Sequence, residues 1–377
     1  MNYALRVLHI MSSDGGGISS FIKNKAIELK NSNVRFDVLT YDPVSSQFEE
    51  AIRLTGGDIF YMSNPKKASF VRFIREVNSA MNIDTKHTIV HSHIQGYRFI
   101  PFYMLAKKNN IKRILVHAHT DLDPIQNDSI ESKLNRIINA NIGVSRVSCG
   151  IKASKTIFGK KKASSGTIMH IPNSIAIDQF VKQADKKKLK EELFGVGNSN
   201  KKVIGTVARF NKQKNHEFMV SIIEELSKEN VDFLWVFVGE GELLESIQDK
   251  IKNSDLEKFV LFMGKRNDVP ELLKAFDLFA LPSLYEGLPT VAIESQAAGT
   301  PILLSDSITT ECDLGLELVE FLPLKTNEWV DTIQRGSISR AENKIIIEKL
   351  EEKKFTNEQS AKLYKDYLNG DIKSYEI

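Results

Sequence analysis

A strand end, a loop and a helix start follow one another in Pro282-Ser283-Leu284-Tyr285-Glu286-Gly287-Leu288-Pro289-Thr290-Val291-Ala292-Ile293-Glu294. The apolar run just before it, residues 278–281, has the length of a buried strand, and a proline and a glycine punctuate the loop. Pro289 predicts a helix that begins at this residue, because proline is favoured in the first turn. Gly299 predicts the end of that helix.

This loop and helix start predict a binding site for phosphate. The first backbone N–H groups of the helix, at Thr290 and Val291, lack partners inside it, and the helix dipole adds positive charge there. Glu286 precedes this anion site, and Glu294 lies more than one turn inside the helix. Because carboxylates accept hydrogen bonds from sugar hydroxyls, the arrangement suits a nucleotide sugar, which is hydroxylated on both sides of a diphosphate. The alternative is an ordinary amphipathic helix with two solvated glutamates.

Length and composition indicate a globular protein of two domains. The chain has 377 residues, of which 42% are hydrophobic and 26% are charged. The apolar run at residues 7–11 is too short for a signal peptide, and no stretch approaches the roughly 18 apolar residues of a membrane span. Cys149 and Cys312 are the only cysteines and lack metal-type spacing, which favours a reducing, cytoplasmic compartment.

Charge is distributed unevenly along the chain. Residues 1–170 contain 24 Lys and Arg against 13 Asp and Glu, although the whole chain has a net charge of only +3. A basic first half suggests an anionic partner, which would be a membrane surface, a phosphorylated substrate or nucleic acid. A solvated basic surface without a partner is the alternative.

Strands and helices alternate through the first half. A strand at residues 4–11 leads into Gly15-Gly16-Gly17 and a helical pattern, a geometry that brings backbone close to phosphate, although a tight turn alone needs the same glycines. Further strands are predicted at residues 34–40, 58–61, 88–92, 112–118 and 141–145. Helices are predicted at residues 47–54, 66–81, 97–108 and 129–139. This alternation predicts a parallel sheet covered by helices.

Two of the predicted strands end in paired histidines, His91-Ser92-His93 and His117-Ala118-His119. A spacing of two places both members of a pair on one face of the strand, and the carboxyl ends of parallel strands face the ligand crevice. A metal site is one interpretation, but no acidic ligand accompanies the histidines in a recognisable motif. Crevice-lining imidazoles that hydrogen-bond a substrate are the favoured interpretation, with His119, the last on its strand, as the first candidate.

The pattern breaks over residues 170–200, where turns and a charged helix predict a domain connection. Beyond it, strands separated by helices are predicted at residues 202–208, 232–238, 259–263, 277–281 and 301–304. The loop that follows the first of these strands contains Arg209 and Lys214. Each of these side chains can neutralise a phosphate. Since this loop and the Glu286 loop both follow strand ends, we expect them to share one crevice. A solvated basic loop is the alternative.

With these residues in place, the chain resembles GT-B glycosyltransferases of the retaining family 4, and it is especially similar to bacterial enzymes of capsular and exopolysaccharide assembly. The most specific match is the pair Glu286 and Glu294, with seven residues between them. Further matches are Arg209 and Lys214 at the family's spacing, Gly15 to Gly17, His119, Ile171-Pro172-Asn173 and Gly239-Glu240-Gly241. The resemblance covers nearly the whole chain. It implies an α/β fold of two Rossmann-like parallel-sheet domains that face each other across a deep crevice.

The resemblance also implies a division of labour between the domains. An acceptor-binding domain is expected at residues 1–170 and a nucleotide-sugar donor-binding domain at residues 171–354. The helical C-terminus, about residues 355–377, is expected to pack back on the first domain.

Roles for the residues of the second domain follow from the same resemblance. Arg209 and Lys214 would hold the donor diphosphate, Glu294 would bind the nucleotide ribose, and Glu286 would contact hydroxyls of the transferred sugar. Residues at the loop end and helix start would assist them, namely Gly287, Leu288, Pro289 and Thr290. The base would pack on the backbone around Met263, Gly264 and Lys265.

In the first domain, the resemblance implies that Gly16 and Gly17 approach the phosphates and that His119 lies near the sugar. Catalysis would then depend on His119, Arg209, Lys214 and Glu286. Two departures limit this transfer of roles. Asn215 stands where many members have glycine, and Ile18 follows the glycines, so acceptor contacts there cannot be inferred.

The implied chemistry is retaining transfer from a nucleotide sugar, with UDP as the expected nucleotide and no cofactor or metal. The departing diphosphate gains negative charge, which an Arg–Lys pair and a helix amino terminus can stabilise without a divalent ion. Asp121-Leu122-Asp123 has the spacing of a metal motif, but we interpret it as a solvated loop or an acceptor contact.

The expected partners are the nucleotide-sugar donor and a saccharide or lipid-diphosphate-linked acceptor, without nucleic acid. We hypothesise that the basic first domain, including Lys107-Lys108 and Lys160-Lys161-Lys162, draws an otherwise cytoplasmic protein to the inner face of the cell membrane. The alternatives are another GT-B enzyme, such as an epimerase or phosphorylase, and a non-catalytic protein that binds nucleotide sugars. The paired glutamates beside the Arg–Lys loop argue against the first, and turnover of nucleotide sugars would exclude the second.

Overall fold

The computed structural model describes residues 4–119, 127–182, 184–229, 231–335 and 341–375. The chain forms two compact units. The N-terminal unit comprises Met1–Ser174 together with Lys354–Ile377, and the C-terminal unit comprises Ile175–Lys353.

Within the described residues, seven parallel strands form the sheet of the N-terminal unit. They are β1 (Leu5–Ile10), β2 (Val34–Thr40), β3 (Ile59–Tyr61), β4 (Thr88–Ser92), β5 (Arg113–Ala118), β6 (Ser145–Ser148) and β7 (Ile168–His170). Their order across the sheet is β3-β2-β1-β4-β5-β6-β7, so the chain starts in the middle and adds strands on both sides. The helices between them are α1 (Gly17–Leu29), α2 (Ser46–Arg53), α3 (Phe70–Met81), α4 (Ile100–Lys108), α5 (Ile130–Asn141), α6 (Ile151–Phe158) and α7 (Lys160–Ala163).

The sequence of the central strand β1 is mostly apolar because β1 lies in the middle of the parallel sheet, where both faces are covered. Its charged residue, Arg6, is fully buried. The Arg6 guanidinium pairs with Asp37 of β2 at 2.5 Å and donates to the Ala80 carbonyl at 2.9 Å. Burial of this charge is tolerated because its donors have partners.

In the described part of the C-terminal unit, six parallel strands lie in the order β10-β9-β8-β11-β12-β13. They are β8 (Lys202–Val207), β9 (Phe233–Val238), β10 (Val260–Phe262), β11 (Leu278–Leu281), β12 (Ile302–Ser305) and β13 (Val319–Leu322). The helices are α8 (Ile177–Val181), α9 (Lys186–Phe194), α10 (His216–Lys228), α11 (Leu244–Asn253), α12 (Val269–Ala275), α13 (Thr290–Ala297), α14 (Thr326–Arg335) and α15 (Asn343–Glu352). Trp235 and Trp329 are fully buried in the core of this unit.

The last helix, α16 (Asn357–Asn369), belongs to the N-terminal unit. Its Tyr364 and Leu368 join the apolar core beneath β1 and α1. Arg113 of β5 donates to the carbonyl of Tyr367 at 3.0 Å and to that of Leu368, which satisfies carbonyls at the helix end. In the ranges that the structure describes, no helix combines the length and the apolar composition that a membrane span requires.

The predicted architecture of two parallel sheets flanked by helices is confirmed. The strand predicted at residues 141–145 is wrong, because the chain turns there and β6 starts only at Ser145. Arg146 explains the shift, since it donates to the carbonyls of Asn139 at 2.9 Å and Ala140 at 2.7 Å and so ends α5. The edge strands β7 and β13, of three and four residues, were not predicted from the sequence.

Candidate functional site

Two neighbouring strands carry the loops that the sequence singled out. β8 and β11 pair in parallel, with Ile204 opposite Leu278. Because β9 lies on the other side of β8, the strand order reverses between β8 and β11. Ligands of open α/β sheets bind outside the carboxyl ends of the strands at such a reversal. Residues 208–215, the β8 loop, and residues 282–289, the β11 loop, both lie at this position.

Hydrogen bonds join the β8 loop to the β11 loop. The Leu284 N–H donates to the Gln213 carbonyl at 2.8 Å, and the Gln213 side chain donates to the Tyr285 carbonyl at 2.8 Å. Asn215 donates its side-chain N–H to the Pro282 carbonyl at 3.2 Å. The two loops are therefore held together before any ligand binds. Sequence analysis gave Gln213 no role of its own, because its partners lie about seventy residues away along the chain.

The departure at Asn215 has a conformational explanation. Asn215 has a φ of 58°, in the left-handed region that glycine and asparagine adopt with the least strain. Asparagine can therefore adopt the backbone conformation that a glycine, which the family resemblance implied at this position, would also adopt. Its side chain adds the hydrogen bond to Pro282.

The turn after β9 packs against the β8 loop so closely that it requires glycine. A Cβ on Gly239 would lie 2.0 Å from the Ala208 carbonyl oxygen, and a Cβ on Gly241 would lie 2.3 Å from that of Phe210. Any side chain at either position would displace the backbone of the β8 loop. This contact explains why Gly239-Glu240-Gly241 accompanies the basic loop in the sequence.

The predicted base-binding segment, Gly264 and Lys265, follows β10 at the same edge of the sheet. The Gly239 N–H donates to the Gly264 carbonyl at 2.8 Å. Gly264 has a φ of 62°, and Lys265 is exposed. The turns after β8, β9 and β10 are thus connected side by side.

The two cations of the β8 loop have different environments. Arg209 is exposed and has no carboxylate partner among the described residues. Lys214 instead forms an ion pair with Glu286, whose side chain is only 8% exposed. Gln213 donates to the other carboxylate oxygen of Glu286 at 3.2 Å. Lys214 and Glu286, which the sequence assigned to diphosphate and sugar respectively, therefore neutralise each other in this state.

Helix α13 starts one residue later than predicted. Pro289 is its N-cap, with an extended ψ of 106°, so the prediction that Pro289 lies in the first turn is wrong. The N–H groups of Leu288, Thr290 and Val291 have no hydrogen-bond partner within the described ranges. Together with Gly287 these residues form a short run of backbone whose donors are free for an anion.

Glu294 lies on α13, partly buried and without a hydrogen-bond partner in the part of the chain that the structure describes. Burial raises the pKa of the Glu294 carboxyl to about 7. A carboxyl with this pKa can accept hydrogen bonds when ionised and donate one when protonated.

In the N-terminal unit, the glycine turn follows β1 and leads into α1. Gly15 has a φ of 110° and Gly16 a φ of 80°, and an added Cβ at either would meet open space. The backbone conformation, and not a close contact, therefore requires glycine there. Within the described residues, the N–H groups of Gly16 and Gly17 have no partner at the start of this helix.

His119, which the family resemblance placed near the sugar, belongs to a group of five histidines that lie on or directly after three adjacent strands, and it follows the last residue of β5. This histidine cluster consists of His9, His91, His93, His117 and His119. His9 lies opposite His91 in the pairing of β1 with β4, a neighbourhood that spacing along the chain could not show.

The cluster is more deeply buried than predicted. His91 and His117 are fully buried, so the prediction that they line a crevice is wrong for both. The physical reason is that their rings lie beneath the strand ends, against Phe21 of α1 and Tyr364 of α16. His119 keeps 8% of its surface exposed. The adjoining Asp121-Leu122-Asp123 lies outside the described residues.

The family described as glycosyl transferases group 1 matches residues 186–321, which include both loops and α13. A Bacillus subtilis (strain 168) protein named as glycosyltransferase EpsF is 31% identical over 347 residues, covering 88% of either chain. The capsular polysaccharide biosynthesis glycosyltransferase CapH of Staphylococcus aureus is 25% identical over 346 residues, covering 88% of this chain and 90% of CapH.

Among solved structures, Anabaena Alr3699/HepE in complex with UDP and glucose superposes with a TM-score of 0.77 at 17% identity. The match covers 97% of this chain and 100% of HepE, and it bears on the fold. The GT-B fold that the resemblance implied is therefore confirmed. The family match, together with the 31% identity to EpsF over most of both chains, shows that the chain belongs to the group 1 glycosyl transferases.

Proposed function

We propose that this enzyme transfers a sugar, with retention of anomeric configuration, from a UDP-linked donor to a saccharide or lipid-diphosphate-linked saccharide in surface polysaccharide assembly. The names of EpsF, CapH and an Escherichia coli UDP-Gal:alpha-D-GlcNAc-diphosphoundecaprenol alpha-1,3-galactosyltransferase, 31% identical over 179 residues, support this assignment. The E. coli match covers 47% of this chain and 46% of that enzyme. HepE, which shares the fold, has been crystallised with UDP-glucose.

One observation carries the proposal more than any other. Within the described residues, the Arg209 guanidinium has no carboxylate partner and the N–H groups of Thr290 and Val291 have no acceptor, and these groups lie just beyond neighbouring strands. A guanidinium and the amino end of a helix are both preferred partners of phosphate. Their common placement at the strand-order reversal favours a diphosphate as their shared ligand.

The Lys214–Glu286 ion pair also enables this site to bind the transferred sugar. Glu286 is held by Lys214 and Gln213, so its carboxylate is oriented toward one position. In the proposed donor complex, Lys214 shares its charge between the β-phosphate and Glu286. Glu286 then accepts a hydrogen bond from a hydroxyl of the transferred sugar.

Catalysis in this proposal is electrostatic. When the bond between the anomeric carbon and the diphosphate oxygen breaks, negative charge grows on the diphosphate and positive charge grows on the sugar. Arg209, Lys214 and the amino end of α13 stabilise the diphosphate, so that no divalent ion is needed for this step. The acceptor hydroxyl attacks the same face of the sugar and passes its proton to the departing phosphate oxygen.

The remaining predicted contacts complete the donor site. Glu294 binds the ribose hydroxyls, and the backbone at Gly264 and Lys265 carries the base. In the N-terminal unit, the N–H groups of Gly16 and Gly17, which have no partner in the part of the chain that the structure describes, bind phosphate in this proposal, and His119 hydrogen-bonds a sugar hydroxyl.

A membrane-facing surface for the acceptor is also part of the proposal. On α5, the outer apolar side chains recur at helical spacing and are exposed by 87% at Ile130, 51% at Leu134 and 61% at Ile137. Arg136 of the same helix donates to the Thr156 carbonyl of α6 at 3.0 Å, and α6 is followed along the chain by the lysines of α7. An exposed apolar face flanked by cations suits the surface of an anionic bilayer, which would present a lipid-linked acceptor.

Turnover of a panel of UDP-sugars and GDP-sugars, with and without saccharide acceptors, tests the proposed activity. We expect transfer or slow hydrolysis with a UDP-sugar, and retention at the anomeric carbon by NMR of the product. Binding of UDP without turnover of any donor would contradict the transferase mechanism at this site. Inversion at the anomeric carbon would contradict same-face attack.

Vesicle co-sedimentation tests the membrane surface separately. Binding should require anionic lipid and weaken as salt is added, because Debye screening shortens the range of the attraction. Equal binding to neutral vesicles, or none to anionic vesicles, would contradict a basic membrane-facing surface.

A further inference from the structure

The histidine cluster contains hydrogen bonds that its own members cannot complete. His93 lies between two neighbours, with His9 Nδ1 at 3.0 Å from its Nε2 and His119 Nε2 at 2.6 Å from its Nδ1. His117 Nδ1 lies 3.2 Å from His91 Nε2. Three buried ring nitrogens have no partner within the described residues, namely His9 Nε2, His117 Nε2 and His119 Nδ1.

Counting protons shows that no choice of tautomers removes this deficit. Each neutral imidazole has one N–H donor and one lone pair. In the row His9–His93–His119, one end must therefore present an unpaired N–H and the other an unpaired lone pair. Each unsatisfied buried group costs about 1–3 kcal/mol. A species bound to His117 Nε2 would supply the partner that this nitrogen lacks within the described residues.

Imidazole side chains are ligands for zinc and similar ions. In this cluster the contacts between rings bring ring nitrogens of neighbouring histidines to within 2.6–3.2 Å of one another.

We propose that His93, His117 and His119 of the N-terminal unit bind one divalent transition-metal ion of the zinc class, while His119 keeps Nδ1 for the sugar contact proposed above. Each of the three offers one ring nitrogen, and these nitrogens lie within 4.8 Å of one another. Three protein ligands with a fourth position for water or substrate is a common zinc arrangement.

Two features favour this trio over His9, His91 and His93, whose nitrogens satisfy the same distance limit. First, His93 and His119 are 6% and 8% exposed, whereas the other three members of the cluster are fully buried. An ion can therefore reach the cluster from solvent at His93 and His119. Second, the trio leaves His9 and His91 as outer partners that orient the ligands.

Those outer partners have the positions that metal-binding histidines require. A ligand histidine usually has its second ring nitrogen hydrogen-bonded, which fixes the tautomer and the ring orientation. His9 holds His93 in this way and His91 holds His117. The Tyr364 hydroxyl lies 2.6 Å from His91 Nδ1 and extends the chain to α16.

The ion would require a small local adjustment. Zinc–nitrogen bonds of about 2.0–2.1 Å separate two tetrahedral ligands by roughly 3.3 Å, so His93 Nδ1 and His119 Nε2 must move apart from their present 2.6 Å. His119 would bind through Nε2 and keep Nδ1 for another partner. Because the outer partners lead to Tyr364, an ion here would also stabilise the attachment of α16 to the N-terminal unit.

Metal binding to the intact protein tests this site. Full-length protein is stripped with a chelator, and Zn²⁺ is titrated by calorimetry, while Co²⁺ is added in parallel to obtain its visible absorption spectrum. We expect one ion per chain, a Co²⁺ spectrum of a low-coordinate nitrogen site, and an unfolding midpoint raised by about 5 °C at a hundredfold excess over Kd. Absence of stoichiometric binding by the stripped wild-type protein would overturn the proposal by itself.

Matched variants locate the ion. His93→Gln and His117→Gln should each weaken Zn²⁺ binding at least tenfold. His87→Gln is the control, since His87 is exposed and hydrogen-bonded to Asp84, and it should bind like the wild type. UDP binding by each variant reports that the protein is folded. Unchanged affinity in a folded His93→Gln or His117→Gln protein would overturn the assignment of the ligands.

Discussion

Arg209 and Lys214 were given the same role from the sequence, but the structure predicts different consequences when each is replaced. Lys214→Met leaves the carboxylate of Glu286, whose side chain is 8% exposed, with Gln213 as its remaining side-chain partner. Breaking a buried ion pair costs about 3–5 kcal/mol, and the 18% exposure of Lys214 reduces this to about 2–3 kcal/mol. Arg209→Met removes an exposed side chain without such a partner and should change stability by less than about 0.5 kcal/mol.

Both variants should lose activity to a similar degree. If each cation stabilises the departing diphosphate, its removal should lower kcat/KM by about 2–4 kcal/mol of transition-state free energy, or roughly 30-fold to 1,000-fold. The double variant Lys214→Met/Glu286→Gln separates the two effects. It removes both charges, so it should recover most of the stability that Lys214→Met loses while activity remains low.

Urea denaturation measures the stability of the relevant unit directly. The chain has two tryptophans, Trp235 and Trp329, and both are buried in the C-terminal unit, so their fluorescence reports on the unit that contains both loops. Wild-type stability in Lys214→Met would refute the energetic account of the ion pair. Near-normal kcat/KM in Arg209→Met would refute the phosphate role of that residue.

Three further predictions address other parts of the protein. Glu294→Gln should raise stability by up to about 3 kcal/mol at pH 8 but little near pH 4.5, because the pKa of Glu294 is about 7 in the folded protein and 4.5 ordinarily, so that ionisation in the folded state becomes more costly as pH rises through this range. Urea titrations that give the same stability difference at both pH values would contradict this account. Gly239→Ala should lower both stability and UDP affinity, because the added Cβ would lie 2.0 Å from the Ala208 carbonyl oxygen. Normal UDP affinity of this variant, measured by calorimetry, would contradict the close packing. Leu134→Glu should reduce co-sedimentation with anionic vesicles severalfold. The control is Ile345→Glu, which changes an exposed residue of the C-terminal unit and should leave co-sedimentation unchanged. Equal binding by both variants would exclude α5 as the membrane surface.

Much of this protein could be predicted from local sequence. Alternating apolar runs and helical patterns predicted two parallel sheets, because a buried parallel strand needs a nearly continuous apolar sequence. The loop with Glu286 and the helix with Glu294 were placed correctly because proline and glycine punctuate chains by their own backbone preferences. The edge strands β7 and β13 were not predicted, because β7 adjoins the region where the sequence pattern breaks and a glutamate interrupts the apolar run of β13.

The sequence by itself determined which residues follow strand ends, and hence the candidates Arg209, Lys214 and His119. Only the tertiary structure decided what those residues touch. It pairs Lys214 with Glu286 while Arg209 remains without a carboxylate partner in the described ranges, and it encloses His119 with histidines from β1, β4 and β5. The physical reason is that charge neutralisation and burial depend on neighbours brought together by strand order, and strand order brings residues into contact that are far apart in the chain.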